Sequence, residues 1–126
     1  MDNLYKLLET IKKAPSMYLG RHSIICLQAF LSGYNVAKHL LKKEDTLQDR
    51  EFQKFPEWIR KKFKIETSQS WANIIMFYSE DESKALDLFF ELFDEFLKSR
   101  SSVNENNNSL EEKPSIFKPL SNAMLK

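Results

Sequence analysis

Glycine, cysteine and proline are what this chain has least of, and each shortage excludes something. Two glycines and four prolines in 126 residues leave little turn material for a many-stranded β protein, which favours helices. The two glycines stand alone, so there is no glycine-rich phosphate loop. Cys26 is the only cysteine, which rules out an intrachain disulfide and a cysteine metal cluster. His22 and His39 are the only histidines and neither has a second ligand nearby, whereas zinc wants three or four. No apolar run approaches the roughly 18 residues that span a bilayer. The segment Met1–Lys6 lacks a basic region followed by an apolar stretch, so no secretory signal is expected. A net charge of +1 gives no global pull toward nucleic acid or an anionic membrane. A cytoplasmic protein with no cofactor, no metal and no catalytic set is the expectation.

What is present reads as one helical domain. Apolar residues make up 42% of the chain and phenylalanine alone contributes 10, enough for a real core at this length. Asp2 or Asn3 can cap a first helix whose Leu4, Leu7, Leu8 and Ile11 follow helical spacing. Pro15 ends that pattern and Gly20 can take a left-handed turn before the next helix. The second helix runs from Ser23 to about Lys43 and is apolar around most of its circumference, which predicts deep burial. Within it Gly33 costs about 1 kcal/mol relative to alanine, and close approach of a neighbouring helix is the expected return. Lys42 to Gln53 reads as a solvated connection. Pro56 suits the first turn of a helix from Phe55 to Phe63. Ser70 caps a segment from Trp71 to Tyr78 that composition tilts to helix. Glu82 to Lys98 is a fifth helix, apolar over most of its surface and central to the bundle. Ser101 to Ser109 holds four asparagines and three serines and reads as a flexible linker or tail. The expected fold is therefore an all-α bundle of about five helices over residues 1–100. Phe89, Phe90, Phe93, Leu27, Phe30 and Trp71 share its core. A polar tail covers 101–126, and its Ile116, Phe117, Leu120, Met124 and Leu125 are apolar enough to dock.

Several residue groups invite a functional reading, and each has a plainer one. Glu91-x-x-Asp94-Glu95 suggests a carboxylate metal site, but di-iron bundles need paired Glu-x-x-His motifs that are missing here. Cys26 lies among Ile25, Leu27 and Phe30 and reads as a small buried hydrophobe. Arg60-Lys61-Lys62-Phe63-Lys64, with Trp58 beside it, could serve nucleic acid through Lys61, Lys62 and Lys64. A helix C-terminus collecting cations explains the same run. The distribution of charge says more. Lys54 to Lys64 holds five bases and one acid, whereas Glu80 to Glu95 holds seven acids and one base. Glu80, Asp81 and Glu82 suit the helix dipole, but Asp87, Glu91, Asp94 and Glu95 lie too deep in the helix for that. An acidic ridge on a rigid helix is a docking surface for a basic partner or a solubilising face. Exposed aromatic residues beside it, such as Tyr78, would be its anchors.

Two resemblances bear on this. Leu8 to Gly20, with its Pro15-x-Met17-Tyr18-Leu19-Gly20, resembles the N-terminal signature of gyrase-type ATPases. The helix that follows in that family supplies a Glu and an Asp-Asn pair for ATP and Mg²⁺; here Ile24 to Asn35 has no acid, and the ATPase reading fails. A broader resemblance rests on that same step, Phe30-Leu31-x-Gly33-Tyr34, Phe55-x-x-Trp58, Ser70-Trp71-x-Asn73-Ile74-Ile75 and Ala85-Leu86-x-Leu88-Phe89-Phe90-x-Leu92. In this order they resemble small bacterial proteins found among the immunity proteins of contact-dependent and polymorphic toxin systems. The resemblance spans residues 1 to about 98. It implies a non-enzymatic protein that neutralises one cognate toxin domain by binding it inside the producing cell. Its partner surface would be Glu80, Asp81, Asp87, Glu91, Asp94 and Glu95, which suits the basic cleft of a nuclease toxin. A small nucleic-acid-binding regulator using residues 60–64 is the alternative.

Overall fold

The computed structural model describes the backbone of residues 3–111 and the side chains of residues 3–101. Among the described residues there are seven helical segments and no strand: α1 (Leu4–Lys13), α2 (Pro15–Leu19), α3 (Ile24–Leu40), α4 (Leu47–Phe52), α5 (Phe55–Phe63), α6 (Trp71–Phe77) and α7 (Glu82–Glu111). Five of them have seven residues or more, and the all-α bundle expected from the sequence is what forms.

Local chemistry sets most boundaries. Pro15 takes the first position of α2, where its missing N–H is no loss. Gly20 ends α2 with φ of 83°, a left-handed angle that costs glycine little. The Ser23 hydroxyl accepts the Ile25 and Cys26 N–H groups at the start of α3, and the Ser70 hydroxyl accepts the Asn73 N–H at the start of α6. Each satisfies helix donors that would otherwise lack partners. Asn3 precedes α1 without a side-chain capping bond; Asp2 lies outside the described residues.

The core forms around α7. Ala85, Leu86, Phe89, Leu92, Phe93 and Phe96 are buried there against Leu8 and Ile11 of α1, Ile24 and Leu27 of α3, Phe55 and Ile59 of α5, and Ile74 and Ile75 of α6. Phe55 is fully buried and meets Phe89, Phe93 and Phe96 edge-on at centroid distances of 5.6, 6.1 and 5.3 Å. Such edge-to-face contacts set the positive ring edge against a negative face. Leu27, Phe89, Phe90 and Phe93 are buried as expected, while Phe30 and Trp71 are half-buried at the margin of the same core.

Four expectations need correction. Residues 42–53 are not merely a connection, because α4 forms within them. Thr46 and Asp49 exchange hydrogen bonds as a capping box, and Asp49 is buried. The second long helix is not buried all round: Ile24, Leu27 and Leu31 face the core, while Ile25, Val36 and Leu40 are exposed. Among the described residues no neighbouring helix approaches Gly33, since a methyl group built there meets nothing within 4 Å. Finally, α7 does not stop near Lys98 but continues through the Asn- and Ser-rich run to Glu111. Ile116, Phe117, Leu120, Met124 and Leu125 lie outside the described residues.

Candidate binding face

The six carboxylates read from the sequence are all exposed. Asp87, Glu91, Asp94 and Glu95 recur at intervals that place them on one stripe of α7, opposite its buried side. Glu80 and Asp81 lie just ahead of the helix. Asp81 is its cap: its carboxylate accepts the Lys84 N–H at 2.8 Å and its carbonyl accepts the Ala85 N–H at 2.9 Å.

The stripe is not uniformly negative. Asp87 meets His22 Nε2 at 2.9 Å, and Glu95 meets Lys62 of α5 at 2.9 Å. Asp94 pairs with Lys98 and Glu80 with Lys84 one turn away, at 3.2 and 3.5 Å. Glu91, in the middle, has no ion-pair partner among the described residues. Exposed pairs of this kind contribute little to stability, so they can be exchanged for a partner's cations at small cost. The basic cluster is similarly engaged. Glu57 serves both Arg60 and Lys61, at 3.7 and 4.0 Å. Lys62 lies over Trp58 as well as against Glu95, so acidic ridge and basic cluster adjoin. A shallow cavity of 520 Å³ beside Arg60, Lys61 and Lys64 also takes in Glu57 and Glu66.

Aromatic surface stands directly ahead of the ridge. Phe77 is 78% exposed and Tyr78 44%. Tyr78 stacks on Phe63 at 4.3 Å, and Phe77 meets Tyr78 edge-on at 5.0 Å. Tyr78 is therefore held against α5 while Phe77 stands open to solvent beside it. Composition had pointed to Tyr78 and not to Phe77, which the apolar run Trp71–Tyr78 would equally have allowed to be buried. Met17 and Tyr18 of α2 are exposed too. Arg21, just after them, joins Glu82 at 3.1 Å, and the Ser23 hydroxyl donates to the same carboxylate. These bonds bring the Pro15–Gly20 motif to the end of the bundle where α7 begins.

A second polar cluster went unrecognised in the sequence. Lys38 of α3 reaches Asp45 at 2.6 Å and Asp49 at 2.8 Å, and Tyr34 donates to Asp49 at 3.1 Å. These groups line a cavity of 250 Å³ between α3 and α4. Burial opposes ionisation of Asp49, but bonds from Lys38, the Thr46 N–H and Tyr34 outweigh it and hold its pKa below the ordinary carboxylate value. The Thr46-x-x-Asp49 spacing was the available signal. With its charges mutually satisfied, the cluster tethers α4 to α3.

No group of His, Cys, Asp and Glu that could hold a metal occurs among the described residues. No described helix is long and apolar enough to cross a membrane. Comparison of the chain with protein-family models, with curated proteins and with solved structures gives no match.

Proposed function

We propose that this chain is a non-enzymatic immunity protein that binds one cognate toxin domain inside the cell that makes it. The proposed contact surface is the α7 stripe Asp87, Glu91, Asp94 and Glu95, led by Phe77, Tyr78, Glu80 and Asp81. The observation that carries this reading is the exposed aromatic pair set against the start of the acidic stripe. Affinity in protein interfaces concentrates in a few desolvated aromatic anchors, and surrounding charge steers encounter and rejects wrong partners. Both components occupy adjoining positions on the ordered bundle, so little conformational freedom is lost on binding. A basic cleft, as in a nuclease toxin, is the complementary partner. The motif resemblance described above supports the same reading.

Nucleic acid at Arg60–Lys64 is the second reading and has weaker support, because Arg60, Lys61 and Lys62 each already have an acidic neighbour.

The test is binding of the full chain to the toxin domain encoded beside its gene. Phe77→Ala with Tyr78→Ala should raise the dissociation rate, each anchor weakening affinity by about 2 kcal/mol. Asp87→Lys with Glu91→Lys should slow association and flatten its dependence on salt. Unchanged rates and undiminished protection of cells in both double variants would overturn the surface assigned here. Submicromolar binding to RNA or DNA with a steep salt dependence, and none to the neighbouring gene product, would favour the regulator.

A further inference from the structure

We propose that the outer face of α3 is a homodimer interface, two copies packing antiparallel about a two-fold axis between Ser32 and Gly33. The inference does not rest on the toxin-binding reading, although both draw on Glu80, Asp81 and Asp87.

The face is unusual for water. In a chain with 29% charged residues, Ile24 to Ala37 contains none. The core takes only one side of this helix, through Ile24, Leu27 and Leu31. Opposite them, Ile25, Ala29, Ser32, Gly33, Val36 and Leu40 form one continuous exposed stripe. Val36 is 57% exposed and Leu40 73%. Exposed helix faces ordinarily carry charge.

Gly33 supplies an independent observation. In an exposed helix interior glycine is unfavourable relative to alanine, and among the described residues of the protomer nothing approaches it. A second molecule supplies the close approach that would justify it.

Two features identify that molecule as a second copy. First, an antiparallel register centred between Ser32 and Gly33 sets Ile25 against Leu40 of the other copy, Ala29 against Val36, and Ser32 against Gly33. Small groups meet at the crossing point and large ones at the ends, as two closely packed helices require. Second, the ends of α3 are oppositely charged. At its start lie Glu80, Asp81, Glu82 and Asp87, with Arg21 and His22 already paired to Glu82 and Asp87. Just past its end Lys42 and Lys43 are exposed without ion-pair partners among the described residues, with Glu44 the neighbouring acid. Antiparallel packing brings the lysines of each copy to the acidic end of the other; parallel packing would set like against like. At 17 residues, α3 is about 25 Å long. Even with exposed Leu41 and Leu47 at its margin, the contact is at the low end for specific interfaces, about 1,200 Å² in total. Contacts at that end of the size range are those of weak, reversible complexes, so the dimer should be concentration-dependent.

Sedimentation equilibrium of the full chain through the micromolar range tests this. A monomer–dimer equilibrium is expected, abolished by Val36→Glu with the helical circular dichroism unchanged. In a Cys26→Ser background, Ser32→Cys should form a disulfide-linked dimer on mild oxidation, while Glu91→Cys should not. This second measurement decides the matter if Val36→Glu fails to fold. A chain that stays monomeric throughout, or a dimer indifferent to Val36→Glu and not linked through Ser32→Cys, overturns the proposal. So does a monomeric full chain that dimerises only when cut after Glu111, since residues 112–126 would then be what covers the face.

Discussion

Lys38 Nζ stands 2.8 Å from Asp49 Oδ2, and the same carboxylate oxygen accepts the Thr46 N–H at 2.8 Å. One buried acid thus holds the start of α4 and fastens it to α3. Burial disfavours the Lys38 cation, but its bonds to Asp45 and Asp49 outweigh that and raise its pKa. Asp49 titrates below its unfolded value, so its contribution is present above about pH 4 and is lost as pH falls through the folded pKa. Lys38 contributes below about pH 10 and its share is lost as pH rises through its raised pKa. Lys38→Met leaves Asp49 buried without its cation and should cost about 3 kcal/mol. Urea titrations should show this loss near neutral pH, and the gap from the parent should narrow as pH falls and Asp49 becomes protonated in both chains.

Phe93 is buried and meets Tyr5, Phe52, Phe55, Phe89 and Phe96. Phe93→Ala should cost about 3–5 kcal/mol in denaturant titration. Phe77→Ala, on an exposed ring, should change stability by about 0.5 kcal/mol or less. Equal effects would contradict the packing described.

Arg100 is 5% exposed and sits 3.5 Å from Glu51, whose other oxygen accepts the Tyr5 hydroxyl at 2.6 Å. The three residues tie α7, α4 and α1 together. A chain cut after Ser101 should unfold cooperatively, close to the parent midpoint. One cut after Ser99 leaves Glu51 without its cation and should lose about 3 kcal/mol. Identical midpoints for the two chains would show that Arg100 is dispensable.

The two glycines should respond in opposite senses. Gly20→Ala forces a side chain into the left-handed region and should destabilise by about 1–2 kcal/mol. Gly33→Ala, measured where the chain is monomeric, should stabilise by up to about 1 kcal/mol. Thermal midpoints read both.

Legibility followed the strength of local signals. Periodic apolar spacing located α1, α5 and most of α7, and the hydroxyls of Ser23 and Ser70 marked two helix starts correctly. α4 was missed because its stabilising contact is polar: Asp49 is buried by Lys38 and Tyr34, which lie 11 and 15 residues away, and no run of apolar residues announces it. The exposure of α3 was equally hidden. A helix apolar all round is buried only if elements exist to cover every side, and that depends on tertiary packing. The extension of α7 to Glu111 goes against the weak helix preference of asparagine and serine, and follows a helix already nucleated upstream. For the binding face, the stripe of carboxylates was readable, but their partners His22 and Lys62 were not. Those contacts join residues 65 and 33 positions apart.

The placement of the core on α7 has a consequence for synthesis. The ribosome makes the chain from its N-terminus, at about 5–20 residues per second. Phe89, Phe93 and Phe96 are therefore among the last of the described core residues to emerge. Until they do, the apolar sides of α1, α3, α5 and α6 have no α7 to close against. For some seconds of each translation cycle the nascent chain exposes these apolar residues, and segments this short gain lasting helical structure only on packing. Any step that slows the decoding of its last third prolongs that interval, during which chaperones and proteases compete for the chain.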